Sequence, residues 1–191
     1  MSEAALLLLL DKVACVRGGR VLFEELDLTL EPGGAALVTG PNGAGKSSLL
    51  RLAAGLLRAS AGTVRRAEGP LGFADEGLAL DHRLQLGKAL DFWARLDGGR
   101  PGPAMAAMGL DGLSDVPVRM LSAGQRKRAV LARAMASGAR LWVLDEPANG
   151  LDSEGLDRLT EAMTGHRAQG GAILAASHVP LGLHGAQRIA L

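Results

Sequence analysis

The sequence has no tyrosine, and aromatic residues of any kind make up 3% of its 191 positions. A site built on a phenolic hydroxyl is therefore excluded. A single cysteine, Cys15, excludes an internal disulfide and fits a reducing compartment. Its simplest reading is a small buried hydrophobe. Long apolar runs are missing as well. Residues 6–10 are all leucine, but Asp11 and Lys12 close the run. No basic segment precedes it and no small-residue cleavage site follows, so it does not read as a signal peptide. No stretch approaches the ~20 apolar residues of a membrane-spanning helix. The expectation is a soluble, cytoplasmic chain that meets a membrane only through a partner. There is no excess of one charge either: 21 Lys and Arg stand against 20 Asp and Glu, a net of +1. Apart from the short run Arg126-Lys127-Arg128 the charges are interspersed, which argues against a broad nucleic-acid footprint.

With 48% hydrophobic residues the chain can bury the core of one domain, taken as residues 1–191. Short apolar segments at residues 6–10, 13–16, 21–23 and 26–30 predict a β-rich N-terminal portion. Glu31-Pro32-Gly33-Gly34 is a turn signal. Residues 35–39 form a continuous apolar strand of the kind buried on both faces of a parallel sheet. A helical pattern over 46–57 follows a glycine-rich loop. Between about residues 77 and 120, Ala, Leu and Met recur at helical spacing between Gly and Pro breaks, which predicts a small helical insertion. A helix over 123–137, a strand over 141–144, a helix over 153–169 and a last buried strand over 172–176 complete an alternation that predicts a parallel α/β core.

The chemistry-bearing motifs fall at the joints of that alternation. Gly40-Pro41-Asn42-Gly43-Ala44-Gly45-Lys46-Ser47 matches G-x-x-x-x-G-K-[ST] between a buried strand and a helix, the context that makes it a P-loop. Its glycines let successive N–H groups turn toward phosphate oxygens, and the helix adds its positive end. Lys46 is placed for the β- and γ-phosphates of ATP, Ser47 for Mg²⁺, and Ser48 is the next polar group available. The strand 141–144 delivers Asp145 and Glu146 at its C-terminal end, where ligands bind in open α/β sheets. Asp145 is a candidate to hold Mg²⁺ and Glu146 a candidate general base for the attacking water. Leu121-Ser122-Ala123-Gly124-Gln125 precedes a helix, with Ser122 as a good N-cap and Gly124 permitting close backbone approach.

That last motif, in order with the others, resembles the signature of the ATP-binding-cassette (ABC) transporter ATPases, and the resemblance covers nearly the whole chain. It implies an α/β P-loop NTPase fold with a parallel core sheet, an N-terminal antiparallel portion and a small helical subdomain. It implies that Leu121, Ser122, Ala123, Gly124 and Gln125 close over the ATP of a second copy in a head-to-tail sandwich. Asp152, in Pro147-Ala148-Asn149-Gly150-Leu151-Asp152, then links the two sites, and His178, after Ala175-Ala176-Ser177, contacts the γ-phosphate and shares in catalysis. His82, His166 and His184 have no such context and are read as surface or packing residues. Two departures stand out. Where the family has an aromatic to stack on adenine, this chain has Cys15-Val16-Arg17, and the planar guanidinium of Arg17 is the candidate. Where the family has a loop glutamine that touches Mg²⁺, this chain offers Glu76, with Asp75 as the rival; the carboxylate serves either the metal or a partner contact.

Within the family, Cys15-Val16-Arg17 with Arg20-Val21-Leu22-Phe23, the P-loop, Ala123 in the signature and the tail from His178 to Leu183 are similar to the ATP-binding subunits of the bacterial cytochrome c maturation system, the haem exporter. The loop at residues 74–77 lacks the histidine expected there. This likeness implies membrane partners CcmB, CcmC and CcmD at the cytoplasmic face of the inner membrane. ATP hydrolysis would then release a haem-loaded chaperone. No haem ligand is expected in the chain itself. The readings weighed against it are an ATPase of a drug, lipid or peptide exporter, a non-transport ABC protein acting on DNA or the ribosome, and a nucleotide switch without turnover.

Overall fold

The computed structural model describes residues 6–77 and 80–191. Two long strands, β1 (Leu8–Arg17) and β2 (Arg20–Leu30), pair antiparallel through the two-residue turn Gly18-Gly19. Both glycines have positive φ, as such a hairpin requires. Four short segments were expected here, and two continuous strands are found. The difference is made by bulges that absorb the intervening charges. Register shifts bracket Val13, and Lys12 and Glu25 adopt φ of 48° and 52°. The Lys12 amide donates to the Asp27 carboxylate at 2.8 Å. A further strand, β4 (Ala61–Arg66), lines up on the other side of β1 and completes a three-stranded sheet in the order β2-β1-β4. Its residues are mostly exposed, so it carries no apolar pattern to announce it.

The second sheet is parallel throughout: β5 (Leu71–Ala74), β6 (Leu141–Asp145), β7 (Ala172–Ala176), β3 (Ala35–Thr39) and β8 (Gln187–Ala190), in that spatial order. Alternation decides which layer each side chain enters. Ala36, Val38, Leu141, Val143, Ala172 and Leu174 join the core beneath the antiparallel sheet and α1 (Lys46–Ala53). Ala35, Trp142, Leu144, Ile173 and Ala175 join the opposite core. Covered on both faces, the central strands can be apolar at every position. β7 is the last buried strand, as expected; β8 follows it at the sheet edge as Gln-Arg-Ile-Ala, largely exposed and too polar to be read as a strand.

The opposite core is roofed by helices. α4 (Ala123–Ala136) and α5 (Ser153–Ala168) lie near their expected bounds. α1 stops at Ala53 rather than residue 57, because Gly55 with φ 75° turns the chain out of the helix. The expected insertion at 77–120 contains α2 (Leu86–Asp97), α3 (Pro101–Ala107) and two 3₁₀ turns, Asp111–Leu113 and Val118–Met120. Residues 78 and 79, at its front, lie outside the described residues. Gly98 in the left-handed conformation ends α2, and Pro101 opens α3, where its missing N–H costs nothing. Leu86, Leu90, Met108 and Leu110 are fully buried against α4 and its neighbours.

His166 of α5 stacks flat on Trp142 of β6, with centroids 3.8 Å apart and 8° between planes. Burial lowers its pKa, so the folded chain keeps it neutral to lower pH than the unfolded chain, which takes up a proton near the usual histidine value of about 6.5. Its contribution to stability is complete above that value and is lost as pH falls below it. In urea unfolding, His166→Phe is expected to flatten the decline of stability between about pH 7 and 5 relative to the parent. An unchanged slope would assign that decline to other groups.

Candidate functional site

Four neighbouring strands of the parallel sheet (β5, β6, β7 and β3) run the same way, so their C-terminal ends open on one edge. There they deliver Asp75-Glu76, Asp145-Glu146, Ser177-His178 and the loop 40–47 in turn. The crevice between them holds about 530 Å³ and is lined by Gly43, Gly45, Lys46, Ser47, Ser48, Glu76, Asp145, Glu146 and His178, among others.

Beyond Thr39, Gly40 turns the chain with φ 144°, and Gly45 takes φ 117°; both lie where a side chain is strained. Gly45 caps α1 without a side-chain bond, which leaves the first amides of the helix available to an anion placed before it. Lys46 is 7% exposed, and its ammonium folds back over the loop to the carbonyl oxygens of Gly40 (2.8 Å) and Pro41 (3.2 Å). Pro41 and Ala44 close the loop through an Ala44 N–H to Pro41 carbonyl bond of 3.2 Å.

Asp145 and Glu146 are each 8% exposed. Glu146 stands in the left-handed region, φ 44°, a conformation that costs a non-glycine residue about 1–2 kcal/mol. Its amide donates to the Ala176 carbonyl at 2.9 Å. Its carboxylate accepts from the His178 amide at 3.2 Å, and its other oxygen is 3.2 Å from His178 Nε2. The same ring nitrogen lies 3.2 Å from Asn42 Oδ1. His178 thus joins the P-loop to the carboxylate. Among the described residues no group of three or more His, Cys, Asp and Glu gathers in the manner of a metal cage. The oxygen donors Ser47 and Asp145, with Glu76 nearby, instead fit Mg²⁺, which takes one or two carboxylates and completes its shell with substrate phosphates and water.

Asp75 lies 3.9 Å from Arg51 and accepts from the Gly77 amide at 2.9 Å, whereas Glu76 is exposed at the mouth of the crevice. Arg17 is exposed at the end of β1 opposite Arg20 and does not line the crevice; Leu22 does. Cys15 is buried, and burial pushes its thiol upward. The signature segment also lies outside the crevice lining. Ser122 accepts from the Gln125 amide (3.2 Å) and the Gln125 side chain accepts from the Ser122 amide (2.9 Å), a reciprocal capping box at the start of α4. Gly124 packs near the Gly150 carbonyl. Asp152 caps α5 by accepting from the Gly155 amide at 2.8 Å.

The sequence did not single out Lys127, which sits inside a basic run. Its ammonium donates to the Glu146 carbonyl at 2.8 Å. Burial pulls its pKa below the usual lysine range, and Glu76, Asp145, Glu146 and Asp75 pull it back up. Its neighbour Arg128 donates to the Met108 carbonyl at 3.2 Å, so the run splits toward separate partners.

Residues 23–149 match the family described as ABC transporter. Over 180 residues the chain is 57% identical to the cytochrome c biogenesis ATP-binding export protein CcmA of Sphingopyxis alaskensis, covering 93% of this chain and 92% of that one. It is 53% identical over 179 residues to the protein of the same name from Novosphingobium aromaticivorans, covering 94% and 92%. It superposes on an ABC transporter ATP-binding protein from Pyrococcus furiosus with a TM-score of 0.83 over 96% of each chain. At 20% identity that likeness speaks for the fold.

Replacing the buried ammonium, Lys46→Ala, removes a charge-assisted donor from the loop. ATP affinity is expected to fall by about ten- to a hundredfold in equilibrium titration. Parental affinity in a folded variant would show that the amides alone hold the phosphates.

Proposed function

This chain belongs to the ABC transporter family, and from that premise we propose that it is the ATP-hydrolysing subunit of a cytochrome c biogenesis export complex, the haem exporter. The observation that carries the reading is the single crevice in which the P-loop, Asp145, Glu146 and His178 meet, in a chain that matches the cytochrome c biogenesis proteins over almost its full length.

The loop amides and Lys46 bind the β- and γ-phosphates, with Ser48 beside them. Ser47 and Asp145 would hold Mg²⁺, with Glu76 in the same crevice lining as a further oxygen donor; the metal, when bound, would draw charge from the phosphate oxygens. Glu146 takes the proton of the attacking water as the new P–O bond forms and the bond to ADP breaks. His178 orients that carboxylate through its amide and ring and serves the γ-phosphate, a role supported by its contact with Asn42 of the P-loop. The low exposure of Glu146 limits competing hydration of the carboxylate.

No described helix is long and apolar enough to cross a membrane. The proposed attachment is peripheral, through permease subunits. CcmB, CcmC and CcmD at the cytoplasmic face of the inner membrane are the proposed partners. Two copies face head to tail, each presenting Ser122, Ala123 and Gly124 to the γ-phosphate on the other, with Asp152 near the junction. The placement of the signature outside its own crevice supports that arrangement. Hydrolysis drives release of a haem-loaded chaperone by the partners.

Glu146→Gln is expected to keep ATP binding while hydrolysis falls by at least about a hundredfold. Tagged and captured from membranes with ATP and Mg²⁺, this variant is expected to bring down haem-handling membrane subunits. Parental turnover would remove Glu146 from the role of base. Recovery of a drug, lipid or peptide permease instead would keep the ATPase and overturn the cargo.

A further inference from the structure

Glu146 holds an unfavourable backbone conformation at the point where its carboxylate must be aimed. Such a conformation persists only when the surroundings over-determine it. Two of its anchors come from β7 and its extension: the Ala176 carbonyl and the His178 amide. A third is local, the Asn149 amide donating to the Glu146 carbonyl at 3.2 Å. The fourth crosses from another layer, where Lys127 of α4 reaches the same carbonyl oxygen at 2.8 Å. Lys127 is half-buried and does not line the nucleotide crevice, so it is not a phosphate ligand in this chain. Its charge nevertheless faces the acidic side of that crevice, where Asp75, Glu76, Asp145 and Glu146 gather. An ammonium there offsets the mutual repulsion of carboxylates that must also tolerate a bound polyphosphate.

We infer that Lys127 is a positioning residue for hydrolysis: its hydrogen bond to the Glu146 carbonyl fixes the strained peptide and so aims the carboxylate at the attacking water. The inference rests on Glu146 being the base. It also joins two parts of the machinery, since Lys127 rides on the helix that begins at Ser122 of the signature. A shift of the signature end is carried by one continuous helix to the anchor of the base.

The test uses the complex with its co-purified membrane subunits and compares Lys127→Met, Lys127→Arg, Glu146→Gln and the double variant Glu146→Gln/Lys127→Met. With Lys127→Met, kcat is expected to fall by about tenfold or more while the Kd for ATP stays within about twofold of the parent. Lys127→Arg, which keeps a charged donor, is expected to restore most of the rate. The double variant is expected to be no slower than Glu146→Gln alone, because both changes disable one device. Thermal unfolding checks the fold, and Lys127→Leu serves in the same comparison if the Met variant fails to fold. Parental kcat in a folded Lys127→Met or Lys127→Leu variant overturns the inference while a dead Glu146→Gln leaves the base in place. A further multiplicative loss in the double variant also overturns it. Parental turnover by Glu146→Gln sinks the base itself.

Discussion

The site depends on one constraint: strands buried on both faces must pair their backbone groups with one another, and here they do so in parallel. Parallel pairing of β5, β6, β7 and β3 forces every following loop onto the same edge of the sheet. Residues 136 positions apart in the chain, Asn42 and His178, are thereby placed around a single crevice. Register makes the alignment tight. Val38 and Asp145 both pair with Ala176, so the P-loop and the two acids leave the sheet at the same level. The apolar character of these strands does chemical work at a distance, since it is their burial that denies them any other arrangement.

That edge gathers charges of both signs at close quarters. Lys46 and Lys127 are drawn inward by carbonyl oxygens, while Asp145 and Glu146 are nearly buried. Burial without pairing would be costly, and Lys46, Lys127 and Glu146 each have hydrogen-bond partners. The partners, however, are mostly backbone atoms rather than opposite charges. Lys46 rests on two carbonyls, Lys127 on one, and Glu146 receives the His178 amide. Dipoles hold the groups in place without neutralising them, so the charges stay available to a phosphate, a metal ion or a proton.

Legibility from the sequence followed burial. The strands at residues 35–39 and 172–176 are legible in the sequence because both faces are covered and every residue but Thr39 is apolar. β4 and β8 were missed because their residues are largely exposed, so nothing in their pattern reports the pairing. In β1 and β2 the charges at residues 11–12 and 24–25 read as breaks, yet backbone bulges carry both strands through. The P-loop, the two acids and His178 were legible as motifs, and the sheet brings them together. Arg17 was chosen for its chemistry alone, and its position at the hairpin end leaves it outside the crevice lining. Lys127 could not be read at all. A basic triplet normally signals a solvated face, and only the hydrogen bond from Lys127 to the Glu146 carbonyl, just past β6, reveals that its middle member turns inward.

The capping box at the signature explains why one stretch can be both rigid and available. Ser122 and Gln125 satisfy each other's amides through their side chains. The amides of Ala123 and Gly124 remain as the N-terminal donors of α4, backed by the helix's positive end. The absence of a bulky side chain at Gly124 leaves them approachable. They lie outside the lining of the chain's own crevice, and in the proposed dimer the anion that meets them is the nucleotide of the second copy. In that proposed dimer α4 meets a phosphate at its start and holds the Glu146 carbonyl on its second turn. Closing the proposed sandwich and aiming the base both act on the N-terminal end of one helix, which gives hydrolysis a physical reason to await dimerisation.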